Sequence, residues 1–160
     1  MTEAPPRAIE DFPAYSYRDD PAVPVYPDAK ALIVFDGVCV MCNALARFVA
    51  ARDSKDEFLF TEAQSALGQA LFRHYGLNHT EFETNLLIVN GRAYGRLEAF
   101  ARILRKLGWP WSLARAAILL PRASRNRFYS FVAQNRYSMF GKYEACPASG
   151  DPAIKARLID

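Results

Sequence analysis

Cysteine is scarce in this chain, with three among 160 residues. That number is too small, and odd, for a small fold stapled by disulfides. Long hydrophobic runs are missing too. The most apolar stretch, Ala114 to Leu120, falls well short of the roughly 18 uninterrupted apolar residues of a membrane span and contains Arg115. At the N-terminus, Pro5, Pro6, Arg7, Glu10 and Asp11 occupy the place of a signal-peptide core, so a cytoplasmic location is expected. Acidic residues are absent from Ala99 to Tyr143, where nine Lys or Arg stand. The net charge of +3 conceals this asymmetry, because the first residues are acidic.

What is present is a soluble-type composition, 51% hydrophobic and 23% charged, with room for one domain and a proper core. Six of the ten prolines lie between Pro5 and Pro27. That density reads residues 1–30 as an extended or disordered arm, with Phe12, Tyr15, Tyr17, Val25 and Tyr26 available to pin parts of it. Folded structure begins at Ala31, where Leu32-Ile33-Val34-Phe35 reads as a strand buried on both faces. The spacing then predicts a helix over Val40–Arg52, a strand over Glu57–Thr61, a helix over Gln64–Tyr75 and a strand over Asn85–Val89. Asn90-Gly91 is a strong hairpin signal and turns the chain into a fourth strand. A helix follows over Leu97–Leu107, stopped by Gly108. The order β-α-β-α-β-β-α implies one parallel strand pair and one antiparallel pair, hence an α/β fold with a small mixed four-stranded sheet flanked by helices. Beyond the core (31–108), a helical extension is expected over 109–147, with helices at Trp111–Leu120 and Ser124–Met139, then a tail over 148–160.

Cys39 and Cys42 stand where the first strand hands over to the first helix. The first turn of a helix leaves N–H groups unpaired and carries partial positive charge, which stabilises a thiolate. Cys39 is therefore the expected nucleophile, at an exposed helix mouth, and Cys42, one turn on, the resolving thiol. A packed pair of cysteines and half of a zinc site are the alternatives. The latter would draw on Cys146, His74 and His79, none at ligand spacing, so no metal is expected. Asp36 is a candidate proton acceptor for Cys42, although an Asp before Gly commonly caps its own turn. Glu98 opens a helix, where a carboxylate is favoured anyway. His74 and His79 read as solvated.

Asp36-Gly37-x-Cys39-x-x-Cys42 after an apolar strand resembles the DCC family of thiol–disulfide oxidoreductases. So do Asn90-Gly91-Arg92, Gly108-Trp109-Pro110-Trp111, Leu120-Pro121, and Asn135 to Lys142 followed by Cys146. The resemblance spans roughly Ala31 to Pro147. It implies a thioredoxin-like fold with Cys39 and Cys42 as the redox pair. Two departures stand out. Leu97-Glu98-Ala99 replaces the family's frequent Ser-Asp-Ala. Glu83-Thr84-Asn85 occupies the place where thioredoxin has a cis-proline, which makes Thr84 the candidate to face the disulfide.

The expected activity is thiol–disulfide exchange of the protein-disulfide reductase type, with no metal or organic cofactor. The partners would be a disulfide-containing protein or a small thiol, and an external thiol or reductase to recycle the pair. The alternative is a non-catalytic binding module whose basic, aromatic extension holds an acidic partner or, less favoured, a membrane surface. Nucleic acid is not expected.

Overall fold

The computed structural model describes residues 7–82 and 84–160. Its centre is a sheet of β1 (Ala31–Phe35), β2 (Phe58–Glu62), β3 (Leu86–Val89) and β4 (Arg92–Gly95), in the order β2-β1-β3-β4. β1 runs parallel to β2 and antiparallel to β3, and β3 is antiparallel to β4. Every residue of β1 is buried, as its unbroken apolar run requires of a strand covered on both faces. Asn90 and Gly91 both take positive φ (50° and 74°) to close the hairpin, the backbone that Asn-Gly supplies most readily.

Alternate residues of β1 feed two cores. Leu32 and Val34 pack with Leu67, Leu71 and Phe72 of α2 (Ala66–His74). Ile33 and Phe35 pack on the other side with Val49 of α1 (Val40–Arg52) and Ile103 of α3 (Arg96–Leu107). Two helices on one face and one on the other, over this strand order, make the fold thioredoxin-like. A 3-10 helix at Trp111–Leu119 and the long α4 (Arg122–Phe140) form the C-terminal extension, and α4 buries Ala133 and Arg136.

Both ends of the chain do more than the sequence suggests. The proline-rich segment carries two short 3-10 helices, Ile9–Asp11 and Ser16–Asp19, and is docked on the α2 face of the sheet. Tyr17 is buried and stacks on Tyr26, Phe12 meets Tyr75 edge-on, and the Tyr15 amide donates to the Gly91 carbonyl at 2.8 Å. Proline fixes an extended backbone without preventing aromatic side chains from docking. Val25 takes no part, being fully exposed, and Val23 is buried instead. Nor is His74 solvated: it bonds Ser16 and Asp20 of this segment, each at 2.8 Å, while His79 is exposed.

The final residues likewise form structure where a tail was expected. α5 (Pro152–Lys155) places Ile154 in the core. Leu158 then pairs with Phe60, and the Ile159 amide donates to the Phe60 carbonyl, covering part of the open edge of β2.

Candidate functional site

β1 ends at Phe35, and Asp36 to Val38 turn the chain into α1. Gly37 sits in a crowded part of this turn. A Cβ there would lie 2.7 Å from Glu62 Oε2 and 3.1 Å from the Cys146 Cβ. Cys39 is the N-cap of α1, in extended conformation, and its Sγ accepts the Cys42 backbone N–H at 3.3 Å. This is the electrostatic setting in which a thiolate is favoured. The Cys39 thiol is accordingly pulled down to about 7, first by the hydrogen bond from the Cys42 thiol, against the opposing effect of burial. The Cys42 backbone amide and the Arg136 charge add to the lowering, and Asp36 works against it. The Cys42 thiol is pushed well above its ordinary range, because ionising it would break its bond to Cys39 and because it is buried. Of the two thiols, Cys39 is thus the one that ionises first and Cys42 the one that keeps its proton.

Exposure departs from expectation. Cys39 is fully buried rather than open at a helix mouth, and Cys42 is the more accessible of the two. The cause is the segment that leaves α4. Lys142 pairs with Cys39 as an isolated antiparallel bridge, and the Tyr143 amide donates to the Val38 carbonyl at 2.7 Å. Asn43 braces the same turn from inside α1, donating to the Gly37 carbonyl at 2.6 Å and the Cys39 carbonyl at 2.9 Å.

Asp36 does cap its turn, its Oδ1 accepting the Val38 amide at 3.1 Å and the Gln64 amide at 2.6 Å. Its Oδ2 faces Arg136 Nη2 at 3.3 Å and accepts the Tyr137 hydroxyl. Both partners of this ion pair are buried, so breaking it by removing one would cost about 3–5 kcal/mol. Arg136 also donates to the carbonyls of Glu81 and Phe82, at 2.7 and 2.9 Å. It thus ties the loop before β3 to the cysteine turn. Sequence reasoning assigned Arg136, Tyr137, Gln64 and Asn43 no role. The only trace was that Arg136-Tyr137 falls in a family-like stretch.

Thr84 lies beside Arg96 and Tyr129, with its Cγ2 2.9 Å from where a Gly95 Cβ would lie. Its neighbours Phe82 and Asn85, not Thr84, share a cavity wall with Cys42. Glu83 lies outside the described residues. Glu98 pairs with Arg102 at 3.0 Å, one helical turn on. Cys146 is half-buried near Gly37, and its thiol is pushed up to about 11, chiefly by burial and secondarily by Glu62. Among the described residues, no cluster of three His, Cys, Asp or Glu could hold a metal ion.

The family model for DCC1-like thiol-disulfide oxidoreductase matches residues 33–142. The chain belongs to this family. Among its relatives is the uncharacterised protein YuxK of Bacillus subtilis (strain 168), 36% identical over 80% of this chain and 93% of that protein. A chloroplastic DCC family protein of Arabidopsis thaliana is 32% identical over 74% of this chain and 70% of its own length. No solved structure matches the chain. The DCC match runs from β1 as far as Lys142, so the cysteine turn and its Arg136 brace lie inside it.

Proposed function

We propose that this DCC protein reduces disulfides by two-electron exchange through Cys39 and Cys42. The observation that carries the reading is the placement of the two thiols: Cys39 caps α1 and its Sγ accepts the Cys42 backbone amide at 3.3 Å, with the Cys42 thiol in the first turn of the same helix. The Cys39 thiolate attacks one sulfur of the substrate disulfide, which expels the other as a thiolate and leaves a mixed disulfide. Cys42 then loses its proton to that leaving group and attacks Cys39 Sγ, closing the Cys39–Cys42 bond and releasing the second product thiol. An external thiol or reductase returns the two electrons. Such chemistry suits a reducing compartment such as the cytoplasm. No described helix is long and apolar enough to cross a membrane. With Gly141 to Tyr143 over Cys39, a protein disulfide reaches it only if that segment moves aside.

The test is equilibration of the full chain in graded glutathione buffers, with disulfides mapped by mass spectrometry. A reversible Cys39–Cys42 bond with a single potential is expected. If the two thiols never pair across the range, the reading fails.

A second reading draws on a separate observation. Trp109, Leu119, Phe128 and Phe131 are exposed large apolar side chains in the stretch that has nine basic residues and no acid. Such a surface suits an anionic bilayer. Salt-sensitive pelleting with anionic vesicles, unchanged when Cys39 and Cys42 are both serine, is expected. Equal pelleting with neutral vesicles would refute it.

A further inference from the structure

Between α1, the sheet and α4 lies a cavity of about 320 Å³ whose surface is almost wholly apolar. Interior voids in well-packed proteins rarely exceed a water molecule, whereas small-molecule sites run from about 300 to 1,000 Å³. Ile33 and Phe35 form its floor from β1, Leu45 and Val49 a wall from α1, and Val132 part of the α4 side. Met41, Phe100 and Val132 line it and are partly exposed, so it is not sealed from solvent.

Two features make this more than loose packing. Cys42 is part of the wall and Cys39 is not. Arg136 also borders the cavity while almost completely buried, and its Nε–H has no hydrogen-bond partner among the described residues. A buried donor left unpaired costs stability, so an occupant with an acceptor at that end would be favoured.

We propose that this cavity binds a compact, uncharged organic disulfide with apolar or aromatic arms, and that such a substrate reacts first at Cys42. The proposal rests on the redox reading above and names its substrate class. Cys42 Sγ attacks the nearer substrate sulfur and gives its proton to the departing arm, which leaves as a thiol. The Cys39 thiolate then attacks Cys42 Sγ. The protein disulfide closes and the second arm leaves. The dithiol loses two electrons and the substrate gains them. A charged peptide disulfide such as oxidised glutathione fits the apolar walls poorly and is limited to the covered Cys39.

The test compares rates of reduction of neutral 4,4′-dithiodipyridine and of oxidised glutathione by the full-length reduced chain, each normalised to free dithiothreitol. The ratio should favour the aromatic disulfide by about tenfold or more, from burial of its rings. Val132→Trp, which fills the cavity, should bring the ratio close to that of the free dithiol. A redox-inert dipyridyl thioether should slow the wild-type reaction competitively, a check that holds even if the Trp variant does not fold. In Cys39→Ser, mass spectrometry should find the pyridyl adduct on Cys42. A wild-type ratio matching free dithiol, or no competition by the thioether, overturns the proposal. So does an adduct that forms on Cys39 in Cys42→Ser but never on Cys42 in Cys39→Ser. The glutathione titration separates the two readings: if Cys39–Cys42 forms there but the aromatic preference is missing, the cavity is not the substrate site and the redox reading stands.

Discussion

At the residue scale, the Cys39 thiol owes its acidity to one neighbour above others. The Cys42 side chain donates to it, so Cys42→Ala should raise the Cys39 pKa from about 7 toward the ordinary thiol range. Ultraviolet thiolate absorbance followed against pH would show the midpoint move up, and an unmoved midpoint would place the acidity in the helix terminus and Arg136 alone. The same shifts set a sign for stability. Between about pH 7 and the free-thiol value near 8.5, the unfolded chain holds more proton on Cys39 than the folded one, so the reduced protein gains stability as pH rises. Above that value Cys42 and Cys146, both with raised pKa, keep protons that the unfolded chain releases, and stability falls. Urea midpoints of the reduced protein should therefore peak in mildly alkaline buffer, and a steady fall across neutral pH would contradict this ordering.

At the element scale, α5 is only a few residues long, yet Ile154 is fully buried beneath the α1 face. Ile154→Ala should destabilise the chain by about 2–5 kcal/mol, read from denaturant unfolding, whereas a loss near zero would mean that the C-terminal residues are dispensable. This element shows where sequence reading runs out. The strands and α1 were legible because an apolar run, a helical spacing or an Asn-Gly turn is local information. The cysteine pair was legible because its position at a strand–helix junction is local too. Ile154 and Leu158 sit in a short polar stretch with no periodicity, and Phe60, with which Leu158 pairs, lies nearly a hundred residues away. The Arg136–Asp36 pair, separated by 100 positions, was hidden for the same reason. Burial of Cys39 was not legible, because its cover is backbone pairing from Lys142 and Tyr143, which leaves no pattern in composition.

At the scale of the whole molecule, the two ends of the chain close on different parts of one sheet. The N-terminal segment lies over the α2 face and is held by polar ties as well as aromatic ones. Arg18 grips Asp28 through two bonds of 2.8 and 2.9 Å, and Asp20 bonds His74. Hydrogen bonds from Arg18 and from His74 keep the Asp28 and Asp20 carboxyls below their usual range. A depressed carboxylate contributes stability above its unfolded pKa of about 3.9 and loses it as pH falls through the folded value. In that acidic window the segment should loosen before the sheet. Hydrogen exchange at the Tyr15 amide should quicken relative to β1 amides, and parallel behaviour of the two would show that the aromatic contacts alone hold the segment down.

The bridge from Lys142 to Cys39 also orders events in time. A ribosome delivers Asp36 to Cys42 roughly a hundred residues before Arg136, Tyr137 and Tyr143. Until α4 and the segment after it emerge, the cysteine turn has neither its buried cation nor its cover. A nascent chain halted short of α4 therefore carries two open thiols exposed to whatever oxidant is near. Only once α4 and the segment after it have emerged does Cys39 pass into its finished surroundings, so the thiol pair is made early in the fold and completed late.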